Sequence, residues 1–162
     1  MHTHIVAAKD SDFIWFLSGE PQTKDGLRLP PGGVDEPLVL AHVRAMAARL
    51  RSQGFTATWM IVSNHEVVGL CGFKQPPSPG GEVEIGYSVA AARRRRGHAT
   101  RAVSAVVDIA RRDPVIRLVT AKTAVTNLAS QRVLEHNDFE RAGMGYDPED
   151  GEVTCWQLVV AT

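Results

Sequence analysis

The sequence predicts a mixed α/β (α+β) fold with a central, mostly antiparallel sheet. Its 162 residues suit one domain with a sizeable core, and 44% of them are hydrophobic. Residues 81–123 read as strand, helix and strand, the order of a right-handed parallel crossover. Elsewhere, pairs of alternating stretches flank turn sequences, as antiparallel hairpins do. We therefore expect residues 1–162 to form one domain.

The first third of the chain predicts a strand, two helices and a long loop. His4–Ala8 reads as a strand and Ser11–Leu17 as a short helix. Leu38–Gln53 carries apolar residues at helical spacing and ends at Gly54. The intervening Gly19–Pro37 is rich in Gly, Pro and charge and is longer than a plain connection. Two interpretations of this loop stay open: a binding lid, or a variable insertion.

Two hairpins are predicted around short polar turns. Strands Thr56–Ser63 and Glu66–Phe73 flank the turn Asn64-His65. Near the carboxyl end, Phe139–Tyr146 and Val153–Val160 flank an acidic turn at residues 147–151. Adjacent strands joined in this way pair antiparallel.

The middle of the chain is predicted to form two parallel strands joined by a helix. An alternating strand, Gly81–Val89, precedes the amphipathic helix Gly97–Arg112 and the strand Arg117–Thr123. A second amphipathic helix follows, with Thr126 or Asn127 as its cap. The first and second strands of this unit are expected to lie side by side and parallel.

The junction at Val89–Ala102 reads V-A-A-A-R-R-R-R-G-H-A-T-R-A. The first turn of a helix leaves its backbone N–H groups unpaired, and a glycine lets the backbone approach a ligand closely. Such a junction suits an anion such as phosphate. The other interpretation is a solvated basic turn before a surface helix.

Composition limits the kinds of partner and of metal site that we expect for this protein. The formal net charge is zero, so no overall field draws the protein to nucleic acid or to a membrane. Cys71 and Cys155 lack the spacing of a zinc site, and each lies in an apolar strand, which favours a reduced thiol. Neither a secretory signal pattern nor a membrane-length apolar run is apparent. We expect a cytoplasmic protein with no metal, no nucleic-acid partner and no membrane partner.

Several motifs in this order resemble the Gcn5-related N-acetyltransferase (GNAT) superfamily. Its pyrophosphate signature, Q/R-x-x-G-x-G/A, is matched by Arg94, Gly97 and Ala99. The E-I-G-Y of residues 84–87 and the N-x-x-S-x-R-V-L-E-x-x-x-F of residues 127–139 are most similar to the ribosomal-protein-alanine (RimJ/RimL-type) branch. The match is good over roughly residues 55–160 and extends only to general layout before that.

The resemblance implies a sheet of six to seven strands, splayed apart at a cofactor site, with about four helices. It implies acetyl-coenzyme A as co-substrate, with its pantetheine arm in the gap between the two parallel strands. The cofactor-binding residues carried over are Val89, Arg94, Arg95, Arg96, Gly97, His98, Ala99, Thr100 and Asn127. Of these, His98 is expected to have an exposed side chain. Asp138 stands where the family usually has glycine, so Asp138 or Asn137 is expected to take the left-handed helix end.

Acyl transfer to an amine needs a base for the amine and a group that stabilises the departing thiolate. The candidate base is Glu84, acting through a water; a solvent-facing charge is the alternative. Many family members carry a tyrosine at the position of Leu134, and this chain does not. The resemblance implies that Ser130, three residues after Asn127 on the same helical face, contacts the thiol side of the cofactor and stabilises the thiolate; a small polar residue of the first helical turn is the alternative.

The predicted activity is transfer of an acetyl group from acetyl-coenzyme A to a primary amine by direct attack in a ternary complex. The amine is either a protein N-terminus or a small molecule. A non-catalytic acyl-coenzyme A-binding sensor is the alternative. Acidic side chains that could line the approach of a cationic amine are Glu20, Glu82, Glu84, Asp147, Glu149 and Asp150. The sequence makes no prediction of oligomeric state.

Overall fold

The computed structural model describes residues 2–161, which form one seven-stranded sheet and four α-helices. The strands are β1 (Thr3–Ala7), β2 (Thr58–Ser63), β3 (Glu66–Phe73), β4 (Glu82–Val89), β5 (Leu118–Ala124), β6 (Glu140–Asp147) and β7 (Gly151–Val159). The helices are α1 (Asp10–Ser18), α2 (Pro37–Ser52), α3 (His98–Arg112) and α4 (Leu128–His136). The predicted fold class is confirmed, and the predicted element boundaries shift by at most two residues. No helix within residues 2–161 combines the length and the apolar character needed to cross a bilayer.

The sheet order is β1-β2-β3-β4-β5-β7-β6. Five of its neighbouring pairs are antiparallel, and β4 with β5 is the parallel pair. The hairpin between β2 and β3 turns at Asn64 and His65, which both have positive φ, 52° and 61°. Two successive left-handed residues give the turn a twist that matches the flanking strands.

The parallel pair is joined over only part of its length. Residues 82–84 of β4 pair with residues 118–120 of β5. Beyond that point β4 continues to Val89 and β5 continues to Ala124, and the register contains no further pairs between them. The two strands therefore diverge and leave a gap in the sheet, as the resemblance implied.

The helices cover the sheet on two faces, and a separate apolar core lies under each. One core contains buried residues of α3 and α4, including Val103, Val106 and Leu134. The other packs α1 and α2 against β2 and β3 through residues such as Phe13, Leu40 and Met60. Side chains alternate between faces along a strand, so successive residues of β4 belong to different faces.

The long loop between α1 and α2 is ordered by polar contacts. Its Asp35 accepts a hydrogen bond from Ser88 of β4, Oγ to Oδ2 at 2.9 Å. Lys24 Nζ lies 2.6 Å from Oδ1 of the buried Asp12. The loop therefore has fixed positions at both of its ends, and its carboxyl end lies against the diverging part of β4.

Candidate active site

The arginine loop connects the end of β4 to α3. Arg95 and Gly97 both have positive φ, 65° and 79°, so the chain turns sharply just before the helix. Arg94, Arg95 and Arg96 are exposed, and Arg94 Nε lies 3.3 Å from the Val89 carbonyl oxygen. The first backbone N–H groups of α3 have no partner within the helix. Loop and helix start together form a basic turn with open donors, which suits an anionic ligand.

The Arg93 side chain is structural. It forms a bidentate pair with Glu66, Nε to Oε1 at 2.5 Å and Nη2 to Oε2 at 3.1 Å. The carboxylate of Glu66 is almost fully buried. Of the four consecutive arginines, the first thus anchors the loop to β3, and only the other three are free to face a ligand. The sequence carried no local signal for this pair, because its members are 27 residues apart.

The prediction that His98 is exposed is wrong. Its side chain is buried, and Nδ1 lies 3.0 Å from the hydroxyl of Thr3 on β1. Burial lowers the pKa of His98, and the charges of Arg101 and Arg96 lower it further. The reason is tertiary: the start of α3 packs against β1, which closes over the imidazole. Only the backbone N–H of His98 is left to contact an anion.

A hydrogen-bonded group lies at the start of α4. Asn127 caps the helix, and its Oδ1 accepts from the Ser130 backbone N–H at 3.1 Å. The predicted cap is therefore confirmed. The Ser130 hydroxyl lies 2.7 Å from the phenolic oxygen of Tyr87, which also donates to the Ser130 carbonyl oxygen at 3.2 Å. Burial raises the pKa of Tyr87 to about 12, so the phenol stays protonated at physiological pH.

Tyr87 is the functional candidate that the sequence analysis missed. It belongs to the E-I-G-Y motif, and alternation along β4 places it on the opposite face from Glu84. This alternation could have identified Tyr87 from the sequence, because a tyrosine on the face of β4 that lies towards α4 can reach the first turn of α4. Leu134, at the position where many family members carry a tyrosine, is fully buried in the core that contains residues of α3 and α4.

Glu84 is held between two lysines. Its carboxylate oxygens lie 3.0 Å from Lys74 Nζ and 3.6 Å from Lys122 Nζ. The side chain is largely buried, with 16% exposed, whereas each lysine is about half exposed. The Lys74 stem runs across Gly86, where an added Cβ would meet Lys74 Cε at 2.9 Å. Glu84 therefore sits beneath the lysines on the α2 side of the sheet.

A cavity of about 360 Å³ opens beside the gap between β4 and β5. One wall is α2, with His42 and Met46, and the sheet wall includes Tyr87 and Ser88. Asn127, Ser130, Lys74 and Lys122 also line this cavity, and Glu84 does not. The Thr58 hydroxyl at its edge is buried and has no hydrogen-bond partner among residues 2–161.

Of the acidic residues predicted to line the approach of the amine, Glu149 and Asp150 line the cavity. Both belong to the turn between β6 and β7. Asp147 shapes this turn by accepting their backbone N–H groups at 2.8 and 3.2 Å, and these bonds lower the pKa of Asp147. Glu20, Glu82, Glu84 and Asp147 are not among the lining residues.

The splayed pair of parallel strands, the open helix start and the cavity beside Ser130 define an acyltransferase-like architecture. The family model described as "Acetyltransferase (GNAT) domain" matches residues 8–140. That range covers most of the chain, and the protein belongs to this family. The family predicted from the motifs is confirmed.

Two known proteins are similar to this chain, one in sequence and one in fold. An uncharacterized N-acetyltransferase of Bacillus subtilis (strain 168), YjdG, is 33% identical over 90 residues, which are 54% of this chain and 53% of that protein. The chain thus matches about half the length of this relative. The ribosomal-protein α-N-acetyltransferase RimL, solved with coenzyme A, has a TM-score of 0.71 at 19% identity, covering 98% of this chain and 94% of that chain.

A second solved structure with the same fold acts on a different acceptor. The aminoglycoside acetyltransferase AAC(6')-Ib, solved with coenzyme A, has a TM-score of 0.70 at 19% identity, covering 98% of this chain and 95% of that chain. The shared fold therefore does not select one acceptor for this protein.

Proposed function

We propose that this protein is an N-acetyltransferase that moves an acetyl group from acetyl-coenzyme A to a primary amine by direct attack in a ternary complex. One observation carries the proposal: the gap between β4 and β5 has the arginine loop at one end and the Tyr87–Ser130 pair beside it. An elongated substrate with an anionic head and a reactive thioester tail fits these two features together. Family membership and the cofactor-bound neighbours support the choice of acetyl-coenzyme A.

In this proposal the diphosphate binds where β4 leads into α3. The backbone N–H groups of His98, Ala99 and Thr100 donate to it, because helix-start donors have no other partner. Exposed Arg94, Arg95 and Arg96 supply positive charge. The pantetheine arm passes Val89 and follows the gap. The Asn127 side-chain N–H group bonds one of its amides, while the oxygen of the same side chain accepts from the Ser130 N–H.

The chemistry assigned to the chain has two parts. The amine nitrogen bonds to the thioester carbonyl carbon while the carbon–sulfur bond breaks and its electron pair stays on sulfur. Glu84 takes the amine proton through a water, because its carboxylate lies within 3.6 Å of Lys74 and Lys122, two residues that line the cavity. The Ser130 hydroxyl donates a hydrogen bond to the departing thiolate.

The amine enters through the cavity between α2 and the β6–β7 turn. Glu149 and Asp150 give its mouth two carboxylates, which attract a protonated amine from solution. The Thr58 hydroxyl, which has no partner in the described part of the chain, offers a hydrogen bond to a polar atom of the acceptor. A protein N-terminus and a small-molecule amine both meet these requirements.

One observation favours a second function, a non-catalytic acyl-coenzyme A sensor. Both carboxylate oxygens of Glu84 are engaged by lysines and the side chain does not line the cavity. A base must reach its proton within hydrogen-bond distance or through one water. A chain that only binds the thioester needs no such group.

Thiol release from acetyl-coenzyme A, measured with a panel of small amines and short peptides with free N-termini, separates the two functions. The transferase predicts amine-dependent thiol release and an acetylated product identified by mass. Tight cofactor binding by calorimetry with no amine-dependent release would support the sensor instead. Absence of cofactor binding would contradict both.

A further inference from the structure

We propose that Tyr87 is a positioning residue for the leaving group: its phenol donates to the Ser130 hydroxyl oxygen, which commits the Ser130 proton to the cofactor sulfur. The inference rests on the proposed function of this site. It adds a second hydroxyl, from the opposite side of the gap, to the single serine that the motifs indicated.

The geometry places this contact across the opening in the sheet. Tyr87 lies on β4, three residues beyond the last residue that pairs with β5, and Ser130 lies on α4, which follows β5. The Tyr87 oxygen is 2.7 Å from Ser130 Oγ and 3.2 Å from the Ser130 carbonyl oxygen. The Ser130 N–H is held by Asn127, so the orientation of Ser130 is set from two directions.

Tyr87 and Ser130 can form two hydrogen-bond arrangements, which differ in where each hydroxyl proton is donated. When the phenol donates to the Ser130 carbonyl, the serine hydroxyl can donate to the phenolic oxygen, and its proton is used within the protein. When the phenol donates to Ser130 Oγ, the serine proton is free for a third atom, because each hydroxyl has a single proton to donate. Negative charge on sulfur in the gap favours the second arrangement.

The chain Tyr87 O–H to Ser130 O–H to sulfur then stabilises the thiolate without transferring a proton. A cysteine-like thiol has a pKa near 8.5, well below that of the buried phenol, which is raised to about 12. The phenol therefore keeps its proton, and sulfur regains its own from solvent. Because each donor polarises the next, Ser130 is a stronger donor with Tyr87 present than without it.

The first test is a double-mutant cycle of Tyr87→Phe and Ser130→Ala, read by single-turnover thiol release at saturating acetyl-coenzyme A. Tyr87→Phe is expected to slow the step by roughly 5- to 20-fold, with cofactor affinity unchanged within about twofold. In the Ser130→Ala background the same change is expected to cost less than about twofold. Tyr146→Phe on β6, the same change at an exposed tyrosine, is the matched control.

The second test requires no turnover. The affinities of coenzyme A and desulfo-coenzyme A are compared by calorimetry from neutral to alkaline pH. Stabilised thiolate raises the ratio in favour of coenzyme A as pH increases, and Tyr87→Phe should move that rise to higher pH. A purely structural role would change both affinities equally at every pH.

Some results would contradict the role of Tyr87, and others would contradict the transferase activity. A Tyr87→Phe rate within twofold of the parent, an equal loss in the Ser130→Ala background, or an unchanged affinity ratio would overturn the inference while leaving the transferase intact. Cofactor binding without amine-dependent release would overturn the transferase, and the affinity ratio would still decide the role of Tyr87. Melting temperatures of all variants exclude unfolding as the cause, and Ser130→Ala retains the carbonyl partner of Tyr87.

Discussion

Arg93 and Glu66 form a bidentate ion pair that ties the arginine loop to the first residue of β3. The carboxylate is 6% exposed and the guanidinium side chain 24% exposed. The pair fixes the position of the chain directly before the exposed arginines that lead to the start of α3.

Arg93→Gln is expected to destabilise the fold by about 2–3 kcal/mol, because it leaves a buried carboxylate whose one remaining ion-pair partner within residues 2–161 is the more distant Arg28. For a domain of this size the melting temperature should fall by roughly 5–10 °C. Arg95→Gln, the same change at an exposed arginine of the same loop, should alter stability by less than about 0.5 kcal/mol. Equal melting temperatures for the two variants would show that the pair does not anchor the loop.

The proposed diphosphate site can be tested by changing the charge at Gly97. Asp and Asn both tolerate positive φ better than most residues, and an added Cβ would meet the far end of the Arg101 side chain, Nη1 at 3.0 Å. Gly97→Asp should weaken acetyl-coenzyme A binding about tenfold more than Gly97→Asn, since the two differ mainly in charge. Calorimetric titration measures both, and indistinguishable affinities would argue against an anion at this turn.

Glu84→Gln tests the base. It should lower turnover by about 10²–10⁴-fold and leave cofactor affinity nearly unchanged, because in the proposed mechanism the carboxylate acts on the amine. Glu82→Gln is the control, an exposed carboxylate on the same face at the start of β4. Single-turnover rates across a range of pH provide the measurement. A Glu84→Gln rate within about twofold of the parent at every pH would remove Glu84 from the mechanism.

The buried His98 predicts a pH dependence of stability. Its pKa is lowered in the folded protein, mainly by burial, so the unfolded chain binds the proton more readily. Stability contributed by the neutral imidazole is present above the unfolded pKa, near 6.5, and is lost as pH falls towards the lower folded value. Denaturant unfolding between about pH 7.5 and pH 5.5 should show this loss.

In His98→Gln that part of the loss should disappear, although the variant is expected to be less stable at neutral pH. His42→Gln, at an exposed histidine of α2, should retain the parent's slope. An unchanged slope in His98→Gln would assign the acid sensitivity to other groups.

Local signals in the sequence were sufficient to predict the helices and strands and one contact at the candidate site. The turn at Asn64-His65 delimits Glu66–Phe73 as a strand, with the predicted bounds. The Asn127 side chain caps α4, and Asp138 takes the left-handed helix end with φ of 65°. Each depends on residues within a few positions of one another, so a sequence pattern contains the whole interaction.

Only the tertiary structure decided which side chains meet at the site. His98 contacts Thr3 from 95 residues away, and Tyr87 contacts Ser130 from 43 residues away. Glu84 is flanked by lysines because Lys74 extends over β4 and because β5 lies beside it. These residues are neighbours because of the order of strands in the sheet. That order is stabilised by packing helices against both faces of the sheet. Periodicity assigns a residue to a face, whereas its partner on that face depends on how the whole chain packs.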